Sequence, residues 1–109
     1  MADAPINFNG LDTTVHGPIR LGVLTALRTD GPLDFTTLKK RLEVADGALG
    51  IHLQKLEAAG YVSVTKEHIG RRPRSTYHLT RAGAAAFATY LENLRRLLDG
   101  VPREPGRGA

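Results

Sequence analysis

The feature that most constrains this chain is a basic turn between two alternating segments. Residues 69–74 read Ile-Gly-Arg-Arg-Pro-Arg, which places Gly and Pro, two turn-forming residues, among three arginines. Residues 62–66 and 75–79 on either side alternate apolar and polar side chains, the pattern of half-buried β-strands. The sequence therefore predicts a β-hairpin with a strongly basic tip. The three tip arginines are Arg71, Arg72 and Arg74.

Three helices are predicted before the hairpin, from apolar residues at helical spacing and from capping residues. They are residues 19–27 with Pro18 at the start, residues 36–42 with Thr36 as N-cap, and residues 47–59 with Asp46 as N-cap and Gly60 as the stop. A very short strand is predicted at residues 33–35. The third helix carries Leu49, Leu53 and Leu56 on one apolar stripe, which we expect to face the core.

A last helix is predicted over residues 80–98, with Thr80 as its N-cap. Its apolar stripe is close to heptad spacing and is too apolar for a solvated surface. We expect part of it to cover the protein's own core and the rest to contact a second copy, with help from the first helix; the alternative is a helix folded wholly onto its own domain. The predicted dimer contacts are Ile19, Val23, Phe87, Tyr90, Leu91, Leu94, Leu97 and Leu98.

The order of these elements is helix, short strand, helix, helix, strand, strand, helix. This is the order of a winged helix-turn-helix with an added C-terminal dimerisation helix, so the predicted fold class is mainly α with a small β-hairpin. We expect residues 11–98 to form a single domain. Residues 1–10 are predicted to be a flexible N-terminus, and the Gly-, Pro- and Arg-rich residues 99–109 a disordered tail.

Composition narrows the function classes. The net charge of +4 is unevenly placed, because residues 1–60 carry −1 and residues 61–109 carry +5. Basic charge gathered in the second half suits a polyanionic partner. The chain has no cysteine, which excludes disulfides, thiolate metal sites and a Cys nucleophile. Its four histidines lack the spacing of metal ligands, so we expect neither a metal nor a cofactor.

An enzyme is not expected, because the chain lacks a Gly-rich phosphate loop, a nucleophile signature and a paired-carboxylate motif. The first five residues are acidic and contain no apolar run, which predicts no secretory signal. No segment approaches the length of a membrane span. We therefore expect a cytoplasmic protein without membrane contact.

Residues 11–98 resemble the small winged-helix transcriptional regulators related to the MarR and ArsR families. The most specific pieces are LGIHLQKLEAAGYV at residues 49–62, GRRPR at residues 70–74 and YHLTRAG at residues 77–83. The resemblance implies a homodimer that binds a pseudo-palindromic DNA site. The cysteine metal box of the ArsR type is absent.

In such a fold the helix of residues 47–59 lies in the major groove. Its face opposite the leucine stripe presents Gly47, Ala48, Gly50, Ile51, Gln54 and Lys55. Gln54 suits adenine, Lys55 suits guanine or a phosphate, and Ala48 and Ile51 suit thymine methyl groups. Related regulators usually place more base-reading side chains on this face. We therefore expect modest base readout, with backbone contact and DNA shape supplying much of the binding.

Further DNA contacts are predicted at the second helix and at the wing, which is the name used here for residues 69–75. The hydroxyls and amides that begin the second helix can hold a phosphate, although Thr36 can equally be only a cap. For His52 both a packed role near the core and a phosphate or base contact remain open. The predicted contacts of this group are Thr36, Thr37, His52, Arg71, Arg72, Arg74 and Thr76.

The expected function is that of a sequence-specific regulator of transcription that binds double-stranded DNA as a dimeric repressor. The sequence is also compatible with two alternatives. One is a winged helix used for protein–protein contact or as an architectural part of a nucleoprotein complex. The other is a ligand-responsive regulator with a small-molecule pocket at the dimer interface, the effector being unknown.

Overall fold

Seven elements follow one another in the predicted order in the computed structural model, which describes residues 11–102. They are α1 (Pro18–Asp30), β1 (Leu33–Asp34), α2 (Phe35–Leu42), α3 (Asp46–Ala58), β2 (Val62–Ile69), β3 (Arg72–Leu79) and α4 (Arg81–Leu98). The three strands form one antiparallel sheet in the order β1-β3-β2. The predicted fold class, a winged helix, is therefore confirmed. Residues 1–10 and most of the predicted tail lie outside the described residues, and the domain boundaries stay predictions.

Two of the three predicted N-caps are wrong. Asp34, not Thr36, caps α2, because Asp34 keeps an extended backbone in β1 and its Oδ1 accepts a hydrogen bond from the Thr37 amide at 2.8 Å. Asp46 is the first residue inside α3 rather than its cap, and the cap position belongs to Ala45, which makes no side-chain capping bond. Thr80 is confirmed as the cap of α4, since its Oγ1 accepts from the Gly83 amide at 2.9 Å.

The hairpin is longer and its turn tighter than the sequence pattern indicated. Pairing of β2 with β3 runs from Val62 opposite Leu79 to Ile69 opposite Arg72, so only two residues connect the strands. The first of them, Gly70, has a positive φ of 65°, as the first position of a type II′ turn requires. Of the three predicted tip arginines, only Arg71 lies in the turn; the other two lie on β3.

The core lies where α1, α2, α3 and the first half of α4 meet one face of the sheet. The leucine stripe of α3 is confirmed, because Leu49, Leu53 and Leu56 are fully buried. Burying one leucine contributes about 1.5–3 kcal/mol, so this stripe alone fixes which face of α3 points inward. The other buried apolar residues are Val15, Val23, Leu24, Ala26, Leu27, Leu38, Val62, Phe87 and Tyr90.

The start of α4 is fastened to the junction between α3 and β2. The Thr80 amide donates to the carbonyl of Tyr61 at 3.1 Å, and the Thr80 hydroxyl donates to the carbonyl of Gly60 at 2.6 Å. One turn later Gly83 is buried so closely that a Cβ added there would lie 2.0 Å from the Tyr61 oxygen. The path of α4 therefore depends on the absence of a side chain at this position.

Replacing Gly83 by Ala is expected to lower the free energy of unfolding by about 1–3 kcal/mol, because the clash with backbone outweighs the better helix propensity of Ala. Gly50→Ala is the matched control, since Gly50 also lies inside a helix but an added Cβ meets no atom within 4 Å. That control is expected to gain up to about 1 kcal/mol. Urea unfolding of both variants measures the difference. A Gly83→Ala protein as stable as Gly50→Ala would contradict the argument.

Candidate nucleic-acid interface

The outward face of α3 is free of core contacts and is mostly uncharged. Ile51 is 55% exposed, and Gln54 and Lys55 are exposed beside it. Gly47 is exposed, whereas Ala48 and Gly50 are half-buried. The leucine stripe turns all six of these predicted contact residues to one side of the helix. A partner that approaches this face meets one large apolar side chain, one amide and one ammonium group.

His52 is engaged inside the protein. The Nε of Arg20 donates a hydrogen bond to its Nδ1 at 3.0 Å, and the same guanidinium donates through Nη1 to the carbonyls of Thr13 and Thr14, each at 3.2 Å. Burial, followed by the positive charges of Arg20 and Lys55, lowers the pKa of His52 below its ordinary value. The imidazole is therefore neutral at pH 7. Of its two predicted roles, the structure displays the packed one.

The N-terminus of α2 is capped by a carboxylate of the protein itself, that of Asp34. Oδ1 of Asp34 already accepts from the Thr37 amide, so this amide is not free for a phosphate in this arrangement. Hydrogen bonding from Thr37, followed by the nearby charges of Arg74 and Lys40, lowers the pKa of Asp34, although partial burial opposes the shift. Thr36 is exposed and Thr37 half-buried. Of the two residues predicted to bind a phosphate here, only Thr36 is therefore accessible and not bonded through its amide to Asp34.

The wing arginines differ in whether they form an ion pair within the protein. Arg72 and Arg74 lie on the same face of the hairpin, because alternate residues of a strand point the same way. Nε of Arg74 lies 4.0 Å from Oδ2 of Asp34, a weak ion pair between the hairpin and α2. Among residues 11–102, neither Arg71 nor Arg72 has an ion-pair partner. These two are therefore the wing cations most available to an anion.

A groove of about 570 Å³ separates the wing from the start of α2. It is lined by Asp34, Phe35, Thr36, Ile69, Arg72, Pro73, Arg74 and Ser75. Thr76 follows on the same strand, but its Oγ1 is buried and has no hydrogen-bond partner. The structure therefore contradicts the prediction that the Thr76 hydroxyl meets DNA, because that oxygen lies in the middle strand of the sheet, beneath its neighbours.

The stripe of α4 is divided between the core and the surface. Val23, Phe87 and Tyr90 are at most 7% exposed, so the structure contradicts their prediction as dimer contacts; they hold α1 and α4 together within one protomer. Leu91 and Leu98 are exposed, at 38% and 54%. The remaining predicted contacts are half-buried, and these are Ile19, Leu94 and Leu97.

An apolar cavity of about 390 Å³ opens beside the second half of α4. Its lining consists of Leu11, Thr13, His16, Leu94 and Leu97. His16 also shares a hydrogen bond of 2.7 Å with the hydroxyl of the buried Tyr90. The cavity therefore joins the residues before α1 to the part of the stripe that the protomer leaves partly uncovered.

Three residues that make side-chain contacts around the candidate interface were not predicted as functional positions. Arg20 and Asp12 tie the residues before α1 to the rest, Asp12 by accepting from the Tyr61 hydroxyl at 2.7 Å. Asp34 links α2 to the hairpin. Only Asp34 had a local signal, because an Asp just before a helix is a common N-cap. The contacts of the others span 32 or 49 residues of chain, and sequence spacing does not reveal such pairs.

Asp34→Ala is expected to lower the free energy of unfolding by about 1 kcal/mol at pH 7, through loss of the cap. Because the folded-state pKa lies below the ordinary 3.8, the carboxylate stabilises the fold above that value and loses this effect as pH falls through the lowered pKa. Urea unfolding at pH 7 and at about pH 2.5 should therefore show the gap narrowing in acid. Asp34→Asn, which keeps a cap without charge, is the control. A gap that is independent of pH would contradict this account.

Within residues 11–102 no helix is long and apolar enough to span a bilayer, and no group of three or more His, Asp or Glu side chains could hold a metal ion.

Comparison with known proteins places this fold in a family. Residues 19–98 match the family described as "Winged helix DNA-binding domain". The uncharacterized protein MJ0432 of Methanocaldococcus jannaschii is 33% identical over 83 residues, which cover 76% of this chain and 90% of that protein. A transcriptional regulator homologue from Pyrococcus horikoshii superimposes with a TM-score of 0.74 at 30% identity, over 81% of this chain and 87% of that one.

A more distant structure shares the fold alone. The Bordetella bronchiseptica protein BpsR, solved in a study of how 6-hydroxynicotinic acid regulates its DNA binding, has a TM-score of 0.70 at 16% identity, over 92% of this chain and 75% of that one. Structural neighbours of this chain include MarR-like transcriptional regulators. The described fold, the family match over residues 19–98 and the two relatives at 30% identity or more lead to one assignment: this chain belongs to the winged-helix DNA-binding domain family and is similar to transcriptional regulators.

Proposed function

We propose that this protein is a dimeric, sequence-specific regulator of transcription that represses by covering promoter DNA. The observation that carries the proposal is the combination of an outward α3 face without core contacts and a hairpin with two unpaired arginines. In a winged helix the first enters the major groove and the second meets phosphates or the minor groove. Membership of the family supports DNA binding, and the positions of these residues support the proposed contacts with the DNA.

The electrostatic part of the binding rests on the wing. Each arginine that neutralises a phosphate releases condensed counterions, so affinity falls steeply as salt rises. Arg71 and Arg72 can do this at no internal cost, because neither has to leave a carboxylate. Arg74 has Asp34 beside it and contributes less.

The dimer rests on the exposed part of the α4 stripe. Leu91 and Leu98 lie seven residues apart on one side of the helix, with Leu94 and Leu97 next to them. Packing this stripe on its equivalent in a second copy buries it around a two-fold axis. Two α3 helices related by such an axis reach successive major grooves when they lie about 34 Å apart. The DNA site would accordingly be pseudo-palindromic.

A second candidate function is regulation by a small molecule, favoured by the apolar cavity beside α4. Its volume of about 390 Å³ falls within the range of ligand pockets. Two of its lining residues, Leu94 and Leu97, belong to the proposed dimer stripe, so an occupant there would act on the spacing of the two α3 helices. A change in DNA affinity on addition of small aromatic acids, abolished in Leu94→Trp, would support this candidate.

The proposed DNA contact is tested by fluorescence anisotropy with the protein's own promoter duplex and a scrambled duplex. We expect promoter-selective binding, and a slope of log affinity against log salt that falls by about one unit in Arg72→Ala. Lys66→Ala removes the same charge from the opposite face of the same hairpin and should leave the slope unchanged. No binding to either duplex would instead favour a protein partner, and equal slopes in the two variants would remove Arg72 from the interface.

The proposed dimer is tested by analytical ultracentrifugation at micromolar concentration. The wild-type chain should sediment as a species of twice the protomer mass of 11.8 kDa. Leu98→Glu should weaken self-association by roughly 10- to 100-fold, because a carboxylate would be desolvated in the interface. Thr89→Glu introduces the same charge on the opposite side of α4 and should leave the dimer intact. A wild-type protein that is monomeric under these conditions would rule out the dimer.

A further inference from the structure

We propose that α3 selects A·T base pairs, with Ile51 packed on a thymine methyl group and Gln54 bonded to an adenine in the neighbouring pair. The inference rests on the proposed function, since it names the bases that the regulator reads. It assigns sequence selectivity to two side chains of the outward α3 face.

The other polar side chains in the first half of α3 are already bonded within the protein. Nδ1 of His52 accepts from Arg20, and Oδ1 of Asp46 lies 2.8 Å from the ammonium of Lys39. The side chains that remain on the outward face are two methyl-bearing groups, Ala48 and Ile51, together with Gln54 and Lys55. No arginine stands on this face, and arginine is the side chain that most often recognises guanine.

Ile51 is the largest side chain on this face and is 55% exposed. Against an A·T pair it can cover the thymine 5-methyl group, so both apolar surfaces leave water. Against a G·C pair it would cover the O6 and N7 acceptors or the N4 donor without offering a hydrogen bond. Polar groups that are desolvated and left unpaired cost free energy. Ile51 therefore favours thymine and also disfavours both orientations of G·C.

Gln54 follows Ile51 by three residues and so projects from the same side of α3. Its amide can donate to N7 and accept from N6 of one adenine, a match that guanine does not offer. Three helical residues advance about 4.5 Å, and one base pair advances about 3.4 Å, so the two side chains address adjacent pairs. The predicted half-site core consequently contains consecutive A·T pairs.

Lys55 completes the face with a charge and without base selectivity of its own in this arrangement. Its ammonium is exposed and unpaired within residues 11–102, and a flexible point charge contacts a phosphate as readily as a base. Selectivity is thus concentrated on Ile51 and Gln54. Affinity is supplied by Lys55 and the unpaired wing arginines.

The test begins by selecting preferred sites from a random duplex library with the full-length protein. Each thymine of the selected half-site is then replaced by uracil, which removes the 5-methyl group and keeps every hydrogen bond. We expect one position per half-site at which uracil weakens wild-type binding by about fourfold, the effect of one buried methyl-sized group. In Ile51→Ala that penalty should disappear, because the methyl group has lost its contact.

Ile69→Ala is the matched control, since Ile69 is also an isoleucine and is 53% exposed, but it lies at the wing. Thymine methyl groups lie only in the major groove, so this variant should keep the full uracil penalty. In a second set of duplexes, each adenine of the selected half-site is replaced by 7-deazaadenine, which lacks the N7 acceptor. It should weaken wild-type binding by about fivefold or more and leave Gln54→Ala unaffected.

The outcomes separate this inference from the function on which it rests. If the protein binds no duplex, both fail. If it binds DNA but selects a G·C-rich core, the proposed function stands and the A·T inference is overturned. If it binds DNA but selects no sequence, the A·T inference and the sequence-specific part of the proposed function both fail, and DNA binding alone stands. A selected A·T core with no uracil penalty, or with the same penalty in Ile51→Ala, also overturns it. Ile51→Ala and Ile69→Ala affect exposed side chains, and thermal unfolding checks that both remain folded.

Discussion

The direction of α4 depends on one close backbone contact. Gly83 presses the helix against the carbonyl of Tyr61, and the Thr80 side chain fastens the same junction to Gly60. Gly60 and Tyr61 directly follow the end of α3, so the helix proposed to pair two protomers begins against the residues that end the helix proposed to read DNA. In the proposed dimer, a rigid start of α4 would fix the spacing of the two α3 helices. A looser start would leave half-site spacing undefined, whatever the quality of the contacts on DNA.

The two sides of α3 divide the tasks of folding and recognition. Leu49, Leu53 and Leu56 are fully buried, so the packing that holds α3 in place comes from its inward face. The outward face is therefore free to change without unfolding the protein. The side chains found there, an isoleucine and a glutamine beside glycines, give a small number of chemically distinct contacts.

Local patterns predicted the order of elements, the leucine stripe and the Thr80 cap, because each depends on residues within one or two turns of chain. The local patterns failed for features that depend on contacts with elements distant in the sequence. Asp34 caps α2 because β1 holds it extended against β3, and alternation alone did not show that β2 and β3 continue to a two-residue turn at Gly70. Heptad spacing predicted the α4 stripe, but only packing against α1 shows that Tyr90 is core and Leu98 surface.

The placement of α2 connects the two regions proposed to meet DNA. At its start Asp34 faces Arg74 of the hairpin, and near its end Lys39 pairs with Asp46 at the start of α3. Exposed ion pairs contribute only about 0–1 kcal/mol each, so they do not hold α2 in place. Leu38 does, because its side chain is fully buried under the helix. The ion pairs instead engage two cations, Lys39 and Arg74. Among the proposed DNA contacts, Arg71, Arg72 and Lys55 are the cations left without an ion pair in residues 11–102, so they are the ones proposed to position the DNA backbone.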